Sequence, residues 1–316
     1  MSTKICFGID IGGTTVKIGC FAMSGELLDK WEIPTRKDDG GSKILDDIAD
    51  AVKKYLADKG KSLEDVCGVG LGVPGAVRPD GYVNKCINLG WGVIPVEKLL
   101  SEKLDGITVK AGNDANMAAL GEYGSGAGKQ YSSIVFVTIG TGVGGGIIVD
   151  GKPLVGFNGA AAEIGHLTVE YGESKSCNCG KKGCLEQYAS ASGIVAMANE
   201  MLSESDEPSS LREVPFISAK AVFDEAKGGD AIATKVVDKA AWYLGIAFAH
   251  IGCTVDPECF IVGGGVSAAG EFLTERIIKN YRENVFHASK NTQIVLASLS
   301  NDAGMSGAAH VLLGCE

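Results

Sequence analysis

Gly8-Ile9-Asp10-Ile11-Gly12-Gly13-Thr14-Thr15-Val16-Lys17-Ile18-Gly19 is the stretch whose reading decides the fold. An apolar strand ends in an aspartate, a Gly-Gly-Thr turn follows, and a second strand-like run leads away. Glycines at the tip of such a hairpin expose backbone N–H groups that can hold phosphate oxygens. Thr14 or Thr15 can add a hydroxyl. Asp10 stands at the strand end, where a carboxylate suits a magnesium ion that keeps part of its water. The spacing matches neither a Walker loop nor a dinucleotide fingerprint. Taken alone, the stretch reads equally as a plain hairpin. The same order recurs further along: Ser133 to Ile139 as strand, Gly140-Thr141-Gly142-Val143-Gly144-Gly145-Gly146 as turn, Ile147-Ile148-Val149 as the strand leaving it. Two such motifs, one opening each half, predict two related domains facing each other across a phosphate site.

The bulk composition is consistent with that expectation. The chain has 316 residues, enough for two domains with real cores. Acidic residues outnumber basic ones, 39 to 29, for a formal net charge of −10. That balance argues against a nucleic-acid binder, which needs a basic face. No signal peptide is visible, because the first residues run straight into Ile5-Cys6-Phe7-Gly8-Ile9. No window is long and apolar enough for a spanning helix; Ala240 to Val255 contains His250 and glycines and reads as a buried helix. Cys6, Cys20, Cys67 and Cys253 sit in apolar settings, where a free thiol packs as a small hydrophobe, which fits a reducing cytoplasm.

Outward from the first hairpin, residues 42 to 59 read as an amphipathic helix with Ile44, Ile48, Val52 and Tyr55 on one face, Ser42 as cap and Gly60 as stop. Residues 66 to 75 read as a buried strand running into the Gly72-Val73-Pro74-Gly75 turn. Asn84 to Trp91, which includes Asn88, is a loop of amides and one indole, suited to a polyhydroxylated ligand or to an ordinary surface. A short helix spans 95 to 104. The strand at 107 to 112 ends in Asn113-Asp114-Ala115-Asn116, and a helix follows. A carboxylate at a strand end, just before a helix, sits where α/β sheets place their chemistry. Asn and Asp are also the usual helix N-caps, so Asp114 reads as cap, as general base, or as both. The glycines at 124 to 128 mark a domain boundary. Beyond the second hairpin, a helical half starts at Ala191, and a long helix spans Asp230 to Cys253. A strand from Glu258 feeds Gly263-Gly264-Gly265, where a nucleotide base and ribose can approach the backbone. Further elements are expected at 270–284 (helix), 292–297 (strand) and 303–313 (helix).

Between the second hairpin and the helical half lie Glu163-Ile164-Gly165-His166, Cys177-Asn178-Cys179-Gly180 and Gly183-Cys184-Leu185-Glu186. One histidine and three cysteines fall within positions 166–184, a usual ligand set for a closed tetrahedral zinc site. Ordinary thiols or a redox disulfide are the alternatives; a disulfide leaves one cysteine and the histidine unexplained.

In combination these motifs resemble the ROK family of bacterial sugar kinases, and within it the ATP-dependent glucokinases. The resemblance rests on Asp-Ile-Gly-Gly-Thr, Asn-Asp-Ala-Asn, Gly-Thr-Gly-Val-Gly-Gly-Gly, Glu-Ile-Gly-His and Cys-x-Cys-Gly-x-x-Gly-Cys-Leu-Glu, and runs from Asp10 to the last helix. It implies an α/β, two-domain actin-like ATPase (ribonuclease H-like) fold with an interdomain cleft. The domains would be 1–122, completed by 303–316, and 123–302 with a zinc loop at 166–184. It implies Asp114 as the base that takes the proton of the sugar hydroxyl. Gly75, Asn88, Asn113, Asp114, Glu163, His166 and Glu186 would hold the sugar. Asp10 would stand on the magnesium side, with Gly12, Gly13, Thr14, Thr15, Lys17, Thr138, Gly140, Thr141 and Gly142 at the phosphates and Gly264 and Gly265 at the adenosine. His166, Cys177, Cys179 and Cys184 would bind a structural Zn2+. ATP, Mg2+, a sugar substrate, a cytoplasmic location and a homodimer or higher homo-oligomer complete the expectation. Glucose is the expected sugar, with N-acetylmannosamine, fructose, mannose and allose as alternatives. Repressors in this family carry a DNA-binding segment ahead of the first motif. Only nine residues precede Asp10 here and the net charge is acidic, so nucleic acid is not an expected partner; with no spanning apolar window, neither is a membrane.

Overall fold

The computed structural model describes residues 4–313. In chain order the elements are β1 (Ile5–Ile11), β2 (Thr15–Ala22), β3 (Leu27–Pro34), α1 (Asp38–Gly41), α2 (Ile44–Asp58), β4 (Val66–Val73), α3 (Val96–Lys103), β5 (Val109–Asn113) and α4 (Asp114–Ser125). Then come β6 (Ile134–Ile139), β7 (Val143–Val149), β8 (Lys152–Pro153), α5 (Glu186–Ala189), α6 (Ala191–Glu204), α7 (Ala219–Lys227) and α8 (Ala231–Val255). The last are β9 (Cys259–Gly263), α9 (Glu271–Asn284), β10 (Gln293–Leu296) and α10 (Ala303–Leu313).

The strands form two sheets with one plan, β3-β2-β1-β4-β5 and β8-β7-β6-β9-β10. β1 runs antiparallel to β2 and parallel to β4, which is parallel to β5. β6, β9 and β10 are parallel to one another in the same relation. This duplicated order follows from the two strand–turn–strand motifs. Within the described residues the chain divides into two compact units, one of 4–132, 146–162 and 298–313, the other of 133–145 and 163–297.

In the first unit, Phe7, Ile9 and Ile18 pack with Ile44, Ile48, Val52 and Leu56 of α2 and Leu100 of α3. Burying each such side chain contributes about 1.5–3 kcal/mol. α2 begins two residues later than its periodicity predicts. Lys43 holds the cap position with no side-chain bond, and Ser42 closes the short α1 instead. The edge strand β3 carries no clear alternation in the sequence; its inward positions are only half-buried, among them Trp31, whose ring stacks on Tyr55 at 4.6 Å. On the other face α10 lies on β1, β4 and α4. That approach needs missing side chains: a Cβ on Gly70 would land on the backbone of Ala308, and one on Gly307 would land on the Met117 carbonyl.

In the second unit β9 is buried along its whole length, and Phe260 stacks on Phe248 of α8 at 4.7 Å. Asp230 caps α8, its Oδ1 accepting from Ala233 N at 2.8 Å. No helix of the described residues is long and apolar enough to cross a membrane.

Candidate functional site

In the first unit the parallel strands bring their carboxyl ends to one edge of the sheet. Asp10 pairs across to Lys17 on β2 and to Gly72 on β4, and Val73 pairs with Asn113 on β5. Asp10 and the Asn113–Asp114 junction therefore share the edge where α/β sheets place ligands. Burial raises the Asp10 carboxyl above its usual range, with the Lys17 charge opposing. A cation beside it would remove that penalty, so the position fits magnesium. Two further parts of the chain close around Asp10. Lys17 Nζ donates to the Asn301 carbonyl at 3.1 Å, and a Cβ on Gly304 would come within 2.7 Å of the Asp10 carboxyl carbon.

The Gly12–Thr14 turn is held from behind. Gly12 N donates to the Thr15 carbonyl at 2.9 Å, and Thr35 N donates to the Thr14 carbonyl at 2.9 Å. The hydroxyl of Thr35 donates to the Gly12 carbonyl at 2.8 Å. Among the described residues the N–H groups of Gly13 and Thr14 meet no partner. A turn with two carbonyls occupied and successive N–H groups open has the geometry that can receive an anion.

At the β5–α4 junction Asn113 does the capping. Its Oδ1 accepts from Ala115 N at 3.0 Å and Asn116 N at 3.2 Å. Its amide donates to the Gly75 carbonyl at 3.2 Å, which joins two of the residues expected at the sugar. Asp114 is the first residue of the helix; its Oδ1 accepts from Ala115 N at 2.8 Å. Burial, with the Asp114 charge adding to it, raises the thiol of Cys86. Asn88 stands exposed in the same loop as Cys86.

In the second unit Thr138 pairs with Gly263 at the ends of β6 and β9. Gly264 has φ +82°, and a Cβ there would strike the backbone of Ile139, so the third glycine cluster abuts the Gly140–Gly142 turn. Gly265 faces open space. This turn is also held from behind: Ala191 N donates to the Gly140 carbonyl at 2.8 Å, and Gly140 N to the Gly142 carbonyl at 2.9 Å. Ser192 Oγ donates to the Thr141 carbonyl at 3.0 Å. Val143 N donates to Glu186 Oε2 at 3.1 Å. The N–H groups of Thr141 and Gly142 meet no partner among the described residues.

Glu163 is exposed, and His166 follows it on a single 3-10 turn. The ligand atoms of His166, Cys177, Cys179 and Cys184 lie within 4.8 Å of one another. His166 Nδ1 is 3.8 Å from Cys177 Sγ, and Cys179 Sγ is 3.7 Å from Cys184 Sγ. A zinc tetrahedron with Zn–S bonds of about 2.3 Å has edges of about 3.8 Å, so the set fits zinc. Burial and then the Cys179 and Cys177 thiols push Cys184 up to about 12, a state a divalent cation would reverse. The loop is braced from outside: Tyr243 donates to Glu170 Oε2 at 3.0 Å, Tyr188 donates to Glu173 Oε2 at 2.5 Å, and the two rings stack at 4.2 Å.

Sequence reasoning had no signal for Thr35, Ser192, Asn301 or Gly304. Each acts through a backbone carbonyl or a close approach, and neither leaves a motif.

The ROK family model matches residues 6–314. The chain belongs to the ROK family. It is 43% identical to a glucokinase of Halalkalibacterium halodurans, over 97% of this chain and 94% of that one. It is 32% identical to an N-acetyl-D-glucosamine kinase of Vibrio cholerae, over 96% of this chain and 98% of the relative. Among solved structures it is similar to a ROK family glucokinase from Streptomyces griseus in complex with glucose and AMPPNP. The TM-score is 0.76 and the identity 33%, covering 97% of this chain and 98% of the other. The two α/β sheets of this ROK chain are those of the actin-like two-domain fold.

Proposed function

We propose that this ROK protein is an ATP-dependent hexokinase that transfers the γ-phosphoryl group of ATP to the 6-hydroxyl of glucose. The observation that carries the reading is the β5–α4 junction, where Asn113 caps the helix and Asp114 opens it at the carboxyl end of the parallel strands. Asp114 is the general base. Its carboxylate takes the proton of the 6-hydroxyl as that oxygen bonds to the γ-phosphorus and the bond from γ-phosphorus to the bridging oxygen breaks. The products are glucose 6-phosphate and ADP, and the proton passes on to solvent. A base in this role contributes about 10²–10⁴-fold, and positioning and charge neutralisation supply most of the rest.

Gly75, Asn88, Asn113, Glu163, His166 and Glu186 hold the sugar hydroxyls. Gly12, Gly13, Thr14, Thr15, Lys17, Thr138, Gly140, Thr141 and Gly142 hold the phosphates, and Gly264 and Gly265 the adenosine. Magnesium held on the side of Asp10 neutralises phosphate charge when bound. Zinc on His166, Cys177, Cys179 and Cys184 is structural, since four protein ligands leave no open position. The protein acts in the cytoplasm as a homodimer or higher homo-oligomer. Likeness to the Halalkalibacterium glucokinase supports glucose as the sugar. Likeness to the Vibrio enzyme supports an N-acetylhexosamine as the second reading.

The test is ADP release with ATP and magnesium across hexoses and N-acetylhexosamines, with Asp114→Asn alongside. Turnover of glucose that falls by about 10²–10⁴-fold in the variant, with glucose binding retained, is the expected result. Turnover confined to another sugar would move the substrate and keep the mechanism. Sugar binding without turnover on any sugar would refute the kinase.

A further inference from the structure

The two glycine turns are built alike behind their open faces, and the sequence motifs do not contain what holds them. In each, one residue from a distant segment donates a backbone N–H to a turn carbonyl, and a hydroxyl in that segment donates to a second one. At the first turn both come from Thr35, just past the end of β3, to the carbonyls of Thr14 and Gly12. At the second they come from Ala191 and Ser192, at the start of α6, to Gly140 and Thr141. In both cases two turn carbonyls are held by the protein, and among the described residues two successive N–H groups meet no partner: Gly13 and Thr14, then Thr141 and Gly142.

We propose that Thr35 and Ser192 are positioning residues for the nucleotide, their hydroxyls clamping the turn carbonyls so that the free N–H groups point at phosphate oxygens. The inference rests on the reading of this protein as an ATP-dependent kinase. The geometry explains why both hydroxyls sit behind a turn and not on its open side. A glycine turn has many backbone conformations of similar energy. Only one of these directs two adjacent N–H groups to the same anion. An unclamped carbonyl that rotates outward would set its negative end against phosphate. Thr35 is 8% exposed, so its hydroxyl has no compensating solvent when the Gly12 carbonyl moves away. Ser192 is exposed, so its removal tests the clamp with little effect on packing.

The experiment is calorimetric titration of the full-length protein with AMPPNP and magnesium, and separately with glucose. It uses Thr35→Val, Ser192→Ala, the conservative Thr35→Ser and Ser192→Thr, and a control, Ser289→Ala. Ser289 donates its hydroxyl to Asp256 at 2.7 Å and bonds neither turn. Thr35→Val and Ser192→Ala are each expected to weaken AMPPNP about three- to tenfold, the range of one net hydrogen bond. Glucose affinity should stay within about twofold, the conservative variants should recover nucleotide affinity, and the control should not change it. Unchanged AMPPNP affinity in either clamp variant would overturn its role. So would glucose affinity falling by the same factor, which would mark a general loss of structure. If the unaltered protein bound no AMPPNP, the kinase reading itself would fall, and the clamps with it.

Discussion

Glu122 lies on α4, two turns beyond Asp114, and its carboxylate is fully buried. It accepts from Leu299 N at 2.7 Å, Ala127 N at 2.8 Å, Ser298 N at 3.0 Å and Ser298 Oγ at 3.2 Å. These bonds tie the end of α4 to the segment that leads through Asn301 to Gly304, the residues packed around Lys17 and Asp10. Glu122→Gln keeps the shape and turns one acceptor into a donor. The amide oxygen can serve Leu299 and Ser298 N, but the new NH2 then faces the N–H of Ala127. One charge-assisted bond is lost, worth about 1.5–3 kcal/mol, and a buried donor is orphaned at about 1–3 kcal/mol. The two losses overlap, so a destabilisation of about 2–4 kcal/mol is expected. For a unit of this size that corresponds to a fall in melting temperature of about 5–15 °C. Urea titration and scanning calorimetry read the stability. A titration with magnesium and AMPPNP reads the consequence at Asp10, which should be weaker binding with glucose affinity spared. A loss below about 0.5 kcal/mol, the scale of an ordinary surface substitution, would refute the reasoning.

Three further outcomes follow from the same structure. Because the folded protein holds the Asp10 proton more tightly than the unfolded chain, ionising Asp10 costs stability as pH rises from about 3.9 through the folded value. Without magnesium, Asp10→Asn should therefore melt at a higher temperature than the unaltered protein at pH 7 and lose the magnesium dependence of AMPPNP binding; an unchanged or lower melting temperature contradicts this. Gly70→Ala places a methyl on the Ala308 backbone, so a loss of about 1–3 kcal/mol or more is expected in urea. Excess chelator should lower both the melting temperature and the glucose affinity, with zinc restoring both. If neither moved, the set formed by His166, Cys177, Cys179 and Cys184 would hold no structural metal.

The repeated strand–turn–strand motif made two related halves legible, because strand ends and glycine turns are local features of a few residues; the strand order within each sheet was not. The histidine and cysteine set was legible too, since metal ligands are confined to a few residue types at short spacing. The β5–α4 junction was legible as a place but ambiguous in role: both Asn113 and Asp114 are good caps, and only the hydrogen bonds show that Asn113 does the capping. The start of α2 was misread for a related reason. Ser42 has cap chemistry, yet the chain has already turned into α1 and uses Ser42 to close it.

The sequence by itself determined the α/β class, the positions of both glycine turns, the grouping of one histidine and three cysteines in one loop, and the ROK membership. Each is written in residue type and spacing along the chain. The tertiary structure alone decided what stands behind those residues: Thr35 on the Gly12 carbonyl, Ser192 on Thr141, Glu122 across to Ser298 and Leu299, Gly304 beneath Asp10. A hydroxyl that bonds a carbonyl, or a glycine that admits a carboxylate, depends on which distant backbone arrives there. The folded chain settles that through close packing, and no local pattern encodes it.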